Sequence, residues 1–132
     1  MKKLMTLSVD CGEALHVGDT REGRLVIIPI TGGSFDGDGL RGEVCSGGAD
    51  WNASLPDGTS HVHARYWIKT DDGAIISVDN EGFLTPSERR FCTTPRFTCD
   101  SSGKYAYLSS LTCLGELSVR NGGVTITVWE MD

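Results

Sequence analysis

Asn121-Gly122-Gly123-Val124-Thr125-Ile126-Thr127-Val128 decides how this chain is read. Asn-Gly supplies the positive φ that a two-residue hairpin loop needs. Behind it, Val124, Ile126 and Val128 share one face and Thr125 and Thr127 the other, the period of a half-buried strand. The pattern repeats upstream. Asp36-Gly37-Asp38-Gly39, Pro56-Asp57-Gly58 and Asp71-Asp72-Gly73 each separate apolar, β-branched runs, and Ala74, Ile76 and Val78 alternate behind the last of them. These signals predict strands at residues 4–11, 24–34, 40–46, 51–55, 61–70, 74–79, 105–114, 116–120 and 124–131. No segment of useful length has helical periodicity, and Thr85-Pro86-Ser87-Glu88 offers at most one capped turn. Many short strands at close turn spacing predict one all-β domain over residues 1–132, an antiparallel β-barrel of short strands with hairpin connections.

Two segments stand out from this pattern. Arg24-Leu25-Val26-Ile27-Ile28-Pro29-Ile30 is apolar on both faces, so its outer side needs a second cover. The N-terminal strand, a long loop or another subunit would each serve, which makes a homo-oligomer an expectation. Residues 80–104 lack clear alternation and read as a long irregular connection. Arg89, Arg90 and Arg96 gather there, either to receive a carboxylate or phosphate or to pair with nearby acids.

Composition narrows the function classes. With 39 % hydrophobic and 23 % charged residues, the chain is globular rather than disordered. A net charge of −6 repels phosphate backbones, so no nucleic-acid partner is expected. Leu4-Met5-Thr6-Leu7 is too short and too interrupted for a signal peptide, and no run reaches the ~18 apolar residues that a bilayer requires, so no membrane partner is expected. Cys11, Cys45, Cys92, Cys99 and Cys113 are odd in number and hold no Cys-x-x-Cys pair. That fits a reducing cytoplasm better than a disulfide framework.

Candidate chemistry centres on three places. In His61-Val62-His63-Ala64-Arg65-Tyr66-Trp67-Ile68-Lys69, the residues His61, His63, Arg65, Trp67 and Lys69 share one face. That face points either to solvent, as patterning prefers, or into a ligand-holding barrel mouth. Asp50-Trp51 follows Gly47-Gly48-Ala49, where glycines permit a sharp turn or a close backbone approach. Asp50 then stands at a strand end as an acid/base or as a cap on its own backbone, beside Trp51 as a flat ligand surface or a core residue. Thr70-Asp71-Asp72-Gly73 is a hairpin turn with one aspartate to spare, Asp72. Thr93 and Arg96 offer a hydroxyl and a guanidinium beside Pro95, and Tyr107 shares a predicted strand face with Ser109. His61-x-His63 lacks a third ligand with any context, so no metal is expected. Gly32-Gly33 and Gly47-Gly48 lead into no helix with a phosphate-loop spacing, so no cofactor is expected either.

Gly47-Gly48-Ala49-Asp50-Trp51, Ala64-Arg65-Tyr66 and Thr70-Asp71-Asp72-Gly73 resemble motifs of the domain-of-unknown-function 3237 family, also called uncharacterised protein family 0311. Ile30-Thr31-Gly32-Gly33-Ser34-Phe35 and Phe91-Cys92-Thr93-Thr94-Pro95 extend the resemblance over roughly Arg24 to Glu130. It implies a compact β-barrel with a polar pocket. The expected site combines Asp50 and Arg65 as catalytic groups with Trp51, His63, Asp72, Thr93, Arg96 and Tyr107 around a small, anionic or sugar-like ligand. Cofactor-free proton transfer, as in an isomerase, cyclase or dehydratase, suits those groups. A carrier without turnover and a self-assembling structural module are the competing expectations.

Overall fold

The computed structural model describes residues 1–87 and 91–132. Among the described residues there are ten strands: β1 (Lys2–Cys11), β2 (Leu15–Thr20), β3 (Gly23–Gly37), β4 (Leu40–Val44), β5 (Ala49–Ser54), β6 (Ser60–Thr70), β7 (Ile75–Leu84), β8 (Phe91–Thr98), β9 (Cys113–Arg120) and β10 (Gly123–Glu130). A short 3₁₀ helix, Ala106–Ser110, precedes β9. Neighbours run β1-β10-β9-β8-β7-β6-β4-β3, and β3 pairs back to β1, so the antiparallel sheet closes on itself as an eight-stranded barrel. β5 fills the same position as β4, between β3 and β6, nearer the other end of the barrel. β2 flanks β3 from outside the ring.

Closure depends on how closely β1 and β3 approach. Gly33 pairs with Val9 at φ 134°, and a Cβ there would lie 2.0 Å from the Ser8 carbonyl oxygen. Only glycine fits that contact.

One half of the barrel is solid. Met5, Leu7, Ile68, Ile76, Val78 and Val128 are fully buried there, and Leu108 of the 3₁₀ helix closes that end. The helix segment is fastened by Asp72 in the β6–β7 turn. Its Oδ1 accepts from Tyr105 Oη at 2.9 Å and Thr70 Oγ1 at 2.5 Å, and its Oδ2 meets Lys104 Nζ at 3.0 Å.

Several elements differ from the sequence reading. The strand expected at 105–114 is the 3₁₀ helix followed by the start of β9. Tyr105 and Leu108 face inward three residues apart, which alternation cannot describe. The irregular region expected at 80–104 contains the end of β7 and all of β8. In β8 the buried positions are Thr93, Pro95 and Phe97, so a strict alternation was present with polar and imino residues on its inner face. β2 was missed because Leu15-His16-Val17-Gly18-Asp19-Thr20 lies outside the ring and is largely exposed. The turn expected over residues 85–88 and the Arg89–Arg90 pair lie wholly or partly outside the described residues. Among the described residues no second layer covers the outer side of β3: Ile27 is half-buried between its cross-strand neighbours Leu15 and Trp51.

Ile68→Ala removes a side chain with no exposed surface, and is expected to cost about 2–5 kcal/mol, read from the urea unfolding midpoint. Hydrogen bonds from Thr70, Lys104 and Tyr105 hold the Asp72 carboxyl well below the usual carboxylate range. A depressed folded pKa gives stability that is present above the unfolded value of ~3.9 and lost as pH falls below it. Asp72→Asn is expected to lower the melting temperature at neutral pH, and that difference should shrink in acid.

Candidate functional site

Where the solid half ends, the lumen opens into a cavity of about 460 Å³. Tyr66, Ile30, Val9 and Ile126 line its inner end, and Val62, Leu84, Leu117 and Val119 line the walls toward the mouth. Between these apolar levels lies a polar belt. Asp50 pairs across to Ala64 and Ala64 to Asn80, while Thr93 sits two residues from Pro95, the partner of Asn80. Asp50, Asn80 and Thr93 therefore line one level of the cavity from β5, β7 and β8.

Local backbone geometry turns Asp50 inward. The Gly48 carbonyl accepts from the Ile30 N–H at 2.9 Å, and a Cβ on Gly48 would lie 2.4 Å from the Arg65 carbonyl oxygen. The chain can thus lie flat on β6 as β5 begins. Asp50 Oδ1 then accepts the His63 backbone N–H at 3.0 Å. Burial pushes the Asp50 carboxyl up from its ordinary value, against the weaker pull of the His63 amide and the Asn52 side chain. The Cys11 thiol nearby is also raised, by burial first and the Asp50 charge second, with Arg120 opposing. Asn80 Oδ1 and Thr93 Oγ1 are buried with no hydrogen-bond partner among the described residues. Leaving such an atom unanswered costs about 1–3 kcal/mol, so this belt suits a polar guest.

The expected site residues divide into three groups. Asp50 and Thr93 line the cavity. Trp51, His63, Arg65 and Arg96 lie on the outside of the wall, because β6 turns Ala64 and Tyr66 inward and the residues between them outward. Three of these four surround Asp79, with His63 Nε2 at 3.1 Å, Arg65 Nε at 3.5 Å and Arg96 Nη2 at 4.0 Å. The side chains of Arg65 and Arg96 are 67 % and 76 % exposed, so the placement of Arg65 in the lumen is corrected. The guanidinium that does reach the cavity belongs to Arg120, at the mouth, where Nη2 meets Asp10 Oδ1 at 2.6 Å. Asp72 and Tyr107 stand away from the cavity: Asp72 fastens the 3₁₀ segment, and Tyr107 on that helix is 45 % exposed. His61 and His63 each face a carboxylate, Glu81 at 2.6 Å and Asp79 at 3.1 Å. Among the described residues no three metal-ligand side chains converge.

Sequence reasoning missed Asn80, Asn52, Tyr66 and Arg120. Asn80 had a readable signal: it continues the Ile76, Val78 series and is polar at an inward position.

Comparison with known proteins agrees with this architecture. A β-barrel-like protein from Acinetobacter baumannii superposes with a TM-score of 0.90 at 29 % identity, covering 99 % of this chain and 94 % of that one. A Penicillium herquei protein described as an enzyme superposes at 0.83 with 25 % identity, covering 99 % and 92 %. A UPF0311 protein of Rhodopseudomonas palustris is 36 % identical over 81 residues, 61 % of this chain and 53 % of the relative. The chain spans about half the length of the curated relatives it matches. The family model for proteins of unknown function DUF3237 matches residues 1–90, which is more than half of the chain, and the protein belongs to that family.

Proposed function

We propose that the open half of the barrel binds a small, predominantly apolar and uncharged molecule bearing one or a few oxygen atoms, and that Asp50 exchanges a proton with it. The observation that carries this reading is one largely buried carboxyl with a raised pKa, facing an apolar cavity beside two unanswered polar side chains. An anion would meet the Asp50 carboxyl inside, and the Arg120 guanidinium at the mouth is already paired with Asp10. A sugar would bring more hydroxyls than the belt can satisfy. Both features favour a neutral guest over the anionic or sugar-like one expected from sequence.

A carboxyl that burial makes hold its proton more tightly than a solvated one can donate that proton to an oxygen or an unsaturated carbon and recover it from a neighbouring C–H. Asn80 and Thr93 would hold the oxygen that gains or loses charge. This supports cofactor-free isomerisation, cyclisation or dehydration, and the description of one structural neighbour as an enzyme points the same way. The thiols of Cys11, Cys45, Cys99 and Cys113 are free, which supports a reducing compartment such as the cytoplasm. Self-association is a second, compatible reading, favoured by the apolar row Leu15–Ile27–Trp51 on the outer wall. Sedimentation at rising concentration tests it, with Trp51→Glu expected to shift any dimer toward monomer.

For a turned-over ligand found by mass-spectrometric screening, Asp50→Asn is expected to lower kcat/KM at least about 100-fold and leave affinity within a few-fold. Binding across a broad panel with no turnover would instead make the protein a carrier. The stability effect has the opposite sign to that at Asp72. A carboxyl whose folded pKa is raised carries no penalty below the unfolded value of ~3.9. The penalty grows as pH rises through the window between the two values and is complete above the folded one. Asp50→Asn removes it, so the variant should melt higher than wild type at pH 7. The gain is about 1.4 kcal/mol per unit of pKa shift, and it should vanish near pH 3. Calorimetry at the two pH values measures it.

A further inference from the structure

The lumen is apolar where a solvated mouth would ordinarily be polar. Its hydrogen-bonding groups, Asp50, Asn80 and Thr93, sit midway down. On the mouth side of that belt, Val62 lies two residues beyond Ala64 on β6 and Leu84 four residues beyond Asn80 on β7. Gly115 pairs with Thr93, and Leu117 and Val119 follow it at two and four residues on β9. Val119 keeps the inward phase of Leu117 and lines the cavity, yet it is 82 % exposed. Burying such an apolar side chain is favourable, and here that gain is unrealised. Arg120 is the polar residue at this rim: Asp10 at 2.6 Å and the Asn121 carbonyl at 3.0 Å hold its Nη2 and Nη1, while its Nε has no partner among the described residues.

We infer that the ligand enters oxygen end first, and that an apolar extension of it lies against Leu84, Leu117 and Val119, which thereby select ligands by length. The inference rests on the lumen-binding reading and adds an orientation and a ligand class to it: neutral amphiphiles with the polar group at one end. Four residues of strand separate the belt from the rim, about 13 Å. A chain of medium length spans that distance, and a short one leaves Val119 in water. Leu84, Leu117 and Val119 touch only the extension, so they are specificity residues and take no part in proton transfer.

The test uses the full chain and a neutral fluorescent probe, N-phenyl-1-naphthylamine, displaced by straight-chain 1-alkanols from butanol to decanol. Affinity is expected to rise roughly fourfold per methylene until the rim is covered. Val119→Asp and Leu84→Ser should weaken decanol about tenfold or more and change butanol less than twofold, because the short chain never reaches them. Val119→Thr, which keeps the side chain's shape at a largely exposed position, should show a smaller loss of the same kind. Asn80→Ala should weaken all lengths alike. If the rim variants leave the dependence on chain length unchanged, the inference is overturned and lumen binding stands. If the folded wild-type chain takes up no probe and no alkanol, the lumen reading falls, and this inference with it.

Discussion

The closing of β1 onto β3 is the constraint on which everything else in this molecule depends. β1 has β10 on one side and β3 on the other, and without the second pairing the sheet is an open ribbon with two long exposed edges. The approach at Gly33 leaves no room for a Cβ beside the Ser8 carbonyl. Once the ring is closed, alternation acquires a fixed meaning: one residue in two faces a lumen of limited width. Aliphatic side chains fill one half of that lumen and a helical turn seals its end. The other half has smaller inward residues, Ala64, Thr93 and Gly115 among them, and so stays open.

This alternation gives adjacent residues opposite environments, and it separates groups that lie side by side in sequence. Asp50 is in the lumen and Trp51 on the wall. Ala64 is inside and Arg65 outside, although both belong to one recognisable motif. The outer group around Asp79 is an exposed ion network, in which Coulomb attraction is screened and each contact contributes little to stability. The inner carboxyl has no cation as its main partner. Its pKa is governed by the water it has lost, which is why burial ranks first among its perturbations. The sequence reading set the Arg65 guanidinium and the Asp50 carboxylate together as catalytic groups. The pleat makes that pair impossible across the wall.

Much of the fold was legible, and the reasons for the gaps are specific. Turn signals and apolar patterning located β1, β3 to β6, β9 and β10 to within a few residues and β7 only over its first half, because its second half turns Asn80 and Gly82 inward instead of aliphatic side chains. β8 was illegible because two of its inward positions are Thr93, which lines the cavity, and Pro95, neither of which reads as a buried strand residue. The 3₁₀ helix was illegible because its apolar residues cap a barrel end and obey no strand period. Of the expected site residues Asp50 and Thr93 line the cavity, but the sequence could not tell which face of β6 was inside. Phase was the missing quantity. Val62, Tyr66 and Ile68 are the apolar set and mark the lumen, and Arg65 falls between them.

Depth of burial also links the acid to the rim. Asp50 lies below Leu84, Leu117 and Val119, so its access to solvent runs past those three side chains. On the proposed lumen-binding reading, a guest seated against them would exclude solvent from the carboxyl. Desolvation would then rise against an unchanged His63 amide bond, and the carboxyl would hold its proton more tightly than in the empty barrel. Binding energy from an unreactive extension would thereby adjust the proton affinity of a group one level below it. A polar rim would retain water at the mouth and weaken this coupling. An apolar rim around an open cavity is costly for an isolated barrel, and on the proposed reading it would be what couples occupancy to a stronger base.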